Sequence, residues 1–187
     1  VPTLWHTVIP EARGFVVPVI LLAALCYLIY RAHLAENYRL LSLGCALLLL
    51  QAIGTLGLKT ETARMLITFG GDGAGMILAT LLMAAFFFGK NTQLYKGSLR
   101  WGFLVFGATA FVDMFALWWA ARTDGNVIPF GEQNGTMSDP WTLVDTYGWS
   151  VNSMIHRYVT LGVCCLFVLA LVYAWGVWQA KQNLEAA

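Results

Sequence analysis

The sequence predicts an all-α polytopic integral membrane protein, a single domain over residues 1–187 with about five transmembrane helices. Of the 187 residues, 59% are hydrophobic and 11% are charged, and the mean hydropathy is +0.67. A soluble domain has roughly 25% charged residues and roughly 45–50% apolar ones. The chain also contains five apolar runs near the roughly 20 residues that a helix needs to cross a bilayer. A chain with only 11% charged residues could not cover a surface that faces water on all sides, so the composition indicates a membrane protein.

The order of the spans along the chain sets the expected topology. The predicted spans are residues 14–30, 40–58, 75–88 with a preceding turn from Met65, 101–121 and about 159–178. An odd number of spans places the two ends of the chain on opposite sides. Six Lys and Arg residues would lie on one side and five on the other. This small excess favours an external N terminus and a cytoplasmic C terminus, in a bacterial inner membrane.

One connection, at about residues 122–152, is much longer than the others and is predicted to be an external loop. It is rich in Gly, Asp, Asn and Pro, which are typical of turns. Within it, "SDPWTLVD" (138–145) has a capping serine followed by an early proline, which predicts a short helix.

Two aspartates inside predicted spans are candidates for a polar site. A charged residue in a span costs roughly 2.5–3.5 kcal/mol on insertion scales, so Asp72 and Asp113 each require an explanation. Asp113 lies mid-span in "FGATAFVDMFALWW". We expect it to face other helices and to have a polar partner, either Gln51, Thr55 or Asp72. Both a structural carboxylate and a functional site are consistent with the sequence.

The segment "GGDGAGM" around Asp72 has four closely spaced glycines, at positions 70, 71, 73 and 75. One interpretation is a face of small residues that lets helices pack closely. Another is an irregular turn or a broken helix that enters the third span. It is not a phosphate-binding loop, because no Lys-Ser/Thr follows.

The order of these segments resembles the site-two-protease class of membrane-embedded zinc metallopeptidases, in its smaller bacterial form. The similarity covers about residues 40–178. It includes the run "LLLLQAIGTLGL", the Gly-rich "FGGDGAGM", the aromatic span "RWGFLVFGATAFVDMFALWWAAR" with its aspartate, the polar loop with "NVIPFGE" and "DPWTLVDTYGWS", and the last span "RYVTLGVCCLFVLALVYAWGVW".

The resemblance implies a zinc motif that has lost its chemistry. The family motif H-E-x-G-H aligns with residues 51–55, where only the glycine and the spacing remain. The ligand positions hold Gln51 and Thr55, and neither an amide nor a hydroxyl replaces an imidazole on zinc. The position of the general base holds Ala52, which has no proton acceptor, and Gly54 is the retained glycine. The resemblance therefore implies a pseudoenzyme without metal or catalytic residues.

Three functions follow from these observations. The first is a non-catalytic, peptidase-like subunit that packs against other integral membrane proteins in a larger assembly. The second is a small transporter or channel with Asp113 as its ion or proton site, lined by Asp72, Gln51 and Thr55. The third is a pigment- or haem-binding subunit with His156 or His33 as the axial ligand, although the sequence favours an interfacial polar residue as the interpretation of each histidine.

The partner classes follow from the same composition. The first hypothesis requires no cofactor, and a pigment or haem belongs only to the third. The partners expected are the lipid bilayer, other membrane proteins and a homo-oligomer. A net charge of +1 predicts no nucleic-acid partner, because phosphate binding requires a concentrated basic face.

Overall fold

The structure is a computed structural model that describes Gly14 and residues 16–88, 98–133 and 136–185. The chain forms two compact units, Val1–Leu66 and Ile67–Ala187. A compact unit need not fold by itself, so the expectation of one domain stays a prediction.

The first unit contains a hairpin of two helices, α1 (Val16–Leu34) and α2 (Tyr38–Ala52). Glu36 in the connecting turn has a φ of 50°, and Asn37 caps α2 by accepting a hydrogen bond of 3.1 Å from the backbone N–H of Leu40. A Cβ added to Gly44 would lie 2.7 Å from Cγ1 of Ile29, so this glycine allows the two helices to pack closely.

A π-helix, Ile53–Gly57, continues directly from α2. It ends at Leu58, which has extended backbone angles, and α3 (Thr60–Ala84) begins two residues later. The segment that aligns with the zinc motif therefore leaves α-helical geometry at Ile53.

In the second unit, three long helices form the core. They are α3, α4 (Leu99–Ala120) and α6 (Val151–Glu185). The boundary between the two units falls within α3, and a 3₁₀ turn, Ala85–Phe87, follows this helix. Glycines make the contacts close: a Cβ added to Gly107 of α4 would lie 2.7 Å from the carbonyl oxygen of Ala79, and one added to Gly162 of α6 would collide with the ring of Phe115. The largest side chains fully buried in this unit are Trp118, Tyr158, Met76, Leu143 and Met154.

The long connection between α4 and α6 contains the predicted short helix. This helix, α5 (Asp139–Asp145), has Ser138 at its N-cap and Pro140 in its first turn, which confirms the prediction from "SDPWTLVD". A two-residue antiparallel pair, β1 (Glu132–Gln133) with β2 (Thr136–Met137), precedes it.

Five helices are long and apolar enough to cross a membrane within the described part of the chain, and this confirms the all-α membrane class. They are Val16–Leu34, Tyr38–Gly57, Thr60–Phe87, Leu99–Ala120 and Val151–Gln182. Two predicted boundaries were wrong. The third span begins at Thr60 and not near residue 75, and the fifth begins at Val151 and not near residue 159. In both cases the first turns of the helix contain several polar residues, and these interrupt the apolar run from which the span was predicted.

Candidate functional site around Asp72

Asp72 lies on the side of α3 that faces the core of the second unit. The indole N–H of Trp118, on α4, donates a hydrogen bond of 2.8 Å to Oδ2 of Asp72. Trp118 is fully buried, and its indole nitrogen can only donate. The carboxylate therefore supplies an acceptor that the tryptophan could not obtain from water.

A stack of aromatic rings from three helices holds this hydrogen bond in place. The ring of Tyr158, on α6, lies between those of Trp118 and Phe69, with centroid distances of 4.0 and 4.4 Å. The hydroxyl of Tyr158 donates a hydrogen bond of 3.1 Å to the backbone carbonyl of Phe69, which fixes the rotation of α6 against α3. Asp72 thus belongs to a rigid, mostly apolar cluster.

A second carboxylate, that of Asp139, lies beside the same helix. Asp139 is the first residue of α5, and a Cβ added to Gly71 would collide with its carboxylate. Although the residue as a whole is exposed, its carboxylate is turned toward α3. Partial burial, followed by repulsion from the Asp72 carboxylate, raises the pKa of Asp139 above its ordinary value of 3.8. Two carboxylates close enough to repel each other can attract a cation.

The Gly-rich segment around Asp72 is continuous α-helix, so the interpretation as an irregular turn was wrong. Close packing explains its glycines instead. A Cβ added to Gly73 would lie 3.3 Å from Leu161 of α6, and one added to Gly75 would lie 2.5 Å from Sδ of Met114 on α4. Packing from both neighbours offsets the cost of glycine in a helix interior.

Asp113 does not have the surroundings that we expected. Its side chain is exposed, and it forms no hydrogen bond or ion pair with the described residues. The reason is helical geometry: α4 buries Gly107, Phe111 and Trp118. Asp113 follows Phe111 by two residues, about 200° around the helix, and so lies on the opposite face. The expectation of an internal polar partner for Asp113 was wrong.

The residues of the degenerate motif lie in the first unit. Nε2 of Gln51 donates a hydrogen bond of 2.6 Å to the carbonyl oxygen of Pro18 on α1. Its Oε1 is buried without a hydrogen-bond partner among the described residues. Ala52 is exposed, and a Cβ added to Gly54 would have no atom within 4 Å. Gln51 and Ala52 belong to α2, whereas Gly54 and Thr55 belong to the π-helix that follows it.

The two candidate axial ligands are both exposed. His33 lines an open cleft of about 310 Å³ at the turn between α1 and α2, together with Glu36, Asn37 and Tyr38. His156 lies on α6 and not at its head, because that helix begins earlier than predicted. Within the described ranges, no three His, Cys, Asp or Glu side chains are grouped as a metal site would need.

Sequence reasoning identified Asp72 but missed Trp118, Tyr158 and Asp139. The sequence contains one indication of Asp139, since this residue begins the predicted short helix. The two aromatic residues had none, because tryptophan and tyrosine are common in every span and at every interface of this chain.

Comparison with protein-family models gives no match, and searches of curated proteins and of solved structures find no protein with significant similarity.

Proposed function

We propose that this protein is a non-catalytic, peptidase-like integral membrane subunit that packs within a larger assembly of membrane proteins. The observation that supports this most directly is the hydrogen bond from the Gln51 amide to the Pro18 carbonyl. In the resembled peptidases, the position of Gln51 holds a metal ligand. In this chain, its donor links α1 to α2, which is a structural role.

The neighbouring positions support the same proposal. Ala52 offers no general base, and the hydroxyl of Thr55 does not replace the second imidazole of a zinc site. We therefore propose that this chain acts through contact with other membrane proteins and not through catalysis at these positions.

Purification from native membranes tests the proposal. The tagged chain is extracted in mild detergent without chelator, and the eluate is examined by native electrophoresis, mass spectrometry and elemental analysis. We expect a defined set of co-purifying membrane proteins and far less than about one zinc per chain. A chain that migrates alone, or one that carries stoichiometric zinc, would overturn the proposal.

A second candidate function, passage of a proton or cation, is favoured by one observation: the proximity of the Asp72 and Asp139 carboxylates. Partial burial and the neighbouring Asp72 carboxylate raise the pKa of Asp139, and carboxylates with perturbed pKa values are candidates for proton exchange. Proteoliposomes with an internal pH dye provide the test. Flux that disappears in Asp72→Asn and Asp139→Asn but persists in Asp124→Asn would support it, and absence of flux from the unmodified protein would contradict it.

We further propose the bacterial inner membrane as the location, with the N terminus external and the C terminus cytoplasmic. Single cysteines at Asn134 and Glu185, in a background without the four native cysteines, test the orientation with an impermeant thiol reagent. Labelling of position 134 alone in intact cells is expected. Labelling of both positions from one side would contradict the five-span topology.

A further inference from the structure

The outward face of α4 presents a carboxylate at a depth where lipid cannot solvate it. The residues Thr109, Val112, Asp113 and Ala116 are all exposed and recur at intervals of three and four, so they form one stripe, here called the docking face. The hydroxyl of Thr109 is bonded to carbonyl oxygens of its own helix, 3.0 Å from Val105 O and from Phe106 O. It is therefore not a donor for Asp113.

The depth of Asp113 follows from the end of the helix. Trp119 is 49% exposed, and the guanidinium of Arg122 lies 4.2 Å from its ring centroid. Such aromatic and basic pairs are typical of the membrane interface. Asp113 precedes Trp119 by six residues, which is about 9 Å along the helix axis. The short aspartate side chain cannot reach the interface from there, whereas lysine and arginine can.

We propose that the docking face binds a transmembrane helix of another protein, and that this helix has a lysine or arginine at the depth of Asp113. The inference rests on the proposed function and specifies its partner. An opposite charge at this depth would compensate for the cost of inserting the Asp113 carboxylate into the membrane. The small side chains of Thr109 and Ala116 allow a second helix to approach closely.

Among the residues that the structure describes, a second copy of this chain offers no basic residue suited to pair with Asp113. Copies inserted in the same orientation would place Asp113 opposite Asp113, which repel each other. The basic residues nearest in depth are directed to the interface, where Arg122 lies over Trp119 and Arg157 lies 4.0 Å from the ring centroid of Trp149. Charge complementarity therefore favours a different protein.

Site-specific photo-crosslinking in native membranes tests the proposal. A photoreactive amino acid replaces Thr109 or Ala116 on the docking face, and Phe167, exposed on α6, serves as the control position. We expect both docking-face positions to crosslink to one transmembrane segment that contains a lysine or arginine, in higher yield than Phe167. The variant Asp113→Asn should lower the yield at least about tenfold, as removal of one partner of a desolvated ion pair does.

Matched variants separate this effect from general damage. Asp113→Glu retains the charge and should retain most of the crosslink, while Asp145→Asn removes one charge outside the spans and should change nothing. Unaltered thermal unfolding of Asp113→Asn in detergent establishes that the variant folds. Crosslinks to lipid only, to a second copy, or to a segment without a basic residue would overturn the inference. If the complex still co-purifies in that case, the proposed function stands, and if no complex is recovered, both fail.

Discussion

The surroundings of Asp72 and of Asp113 differ although both are aspartates within transmembrane helices of one unit. Asp72 faces the core and accepts a hydrogen bond from buried Trp118. Asp113 faces outward and has no partner in the described chain. The first carboxylate is explained by the fold itself, while the second requires something outside it. A polar residue in a span thus requires a polar partner. The side of the helix on which the residue lies indicates whether that partner belongs to the same chain or to another protein.

The largest effect that we predict for these two aspartates is that of Asp113 on membrane insertion of its span. Asp113→Leu should make insertion of the span Leu99–Ala120 more favourable by about 3 kcal/mol, because it removes a charge from the lipid-facing side of the helix. A translocon insertion assay on the isolated span measures this directly. In the assembled complex the same variant should reduce partner recovery, so the two readouts move in opposite directions. An unchanged insertion efficiency would mean that Asp113 does not lie in the hydrocarbon core.

The next largest effect concerns Asp72, whose hydrogen-bond partner lies within the chain. Asp72→Ala leaves the buried indole N–H of Trp118 without an acceptor, and this should lower the free energy of unfolding by about 1–3 kcal/mol. Asp72→Asn keeps an amide oxygen in place and should lose much less. Thermal unfolding in detergent, followed by tryptophan fluorescence, compares the two. Equal losses would show that the charge, and not the hydrogen bond, stabilises this region.

Much of the fold could be predicted from the sequence because it depends on composition and local signals. The five spans follow from apolar runs, and α5 follows from Ser138 and Pro140. The side on which Asp113 lies could not be predicted. Apolar residues surround α4 on every face, so the alternation that normally marks a buried stripe is missing, and the buried and exposed faces of α4 look alike in sequence.

The candidate site was predictable only in part, for a related reason. Asp72 stands out as a charge in a span, but its partner Trp118 is one of eight tryptophans. Which one reaches Asp72 depends on how α3 and α4 pack, and this is set by contacts such as that of Gly107 with Ala79. The π-helix after α2 likewise has no simple sequence signal.

A smaller effect should come from pH. Since the pKa of Asp139 is raised in the folded state, the folded protein binds more protons than the unfolded one just above pH 3.8. Its stability should therefore decrease as pH rises from about 3.8 to the higher folded-state pKa, and then level off. Exposure of Asp139 to solvent keeps the change below about 1 kcal/mol.

Melting temperatures between about pH 3 and about pH 7 measure this dependence. Asp139→Asn should remove the contribution of this group, and Asp72→Asn should weaken it, because the repelling charge is gone. A contribution that is the same with and without Asp72 would mean that burial alone raises the pKa of Asp139.

The smallest effect should be at Gln51, where the sequence resemblance places a metal ligand. Gln51→Leu removes one hydrogen bond to the Pro18 carbonyl, and such bonds average about 0.6 kcal/mol in membrane proteins. The same change removes a buried Oε1 that has no partner among the described residues, which offsets part of the loss. We therefore expect nearly unchanged thermal stability and unchanged recovery of the native complex. Gly54→Ala is the matched control. A Cβ at position 54 meets no atom within 4 Å, so this variant shows whether the segment tolerates substitution in general.

Gln51 would belong to a working site if Gln51→Leu abolished assembly or activity of a folded protein while Gly54→Ala left both unchanged. The first unit would then take part in function directly, and transport would become the better hypothesis.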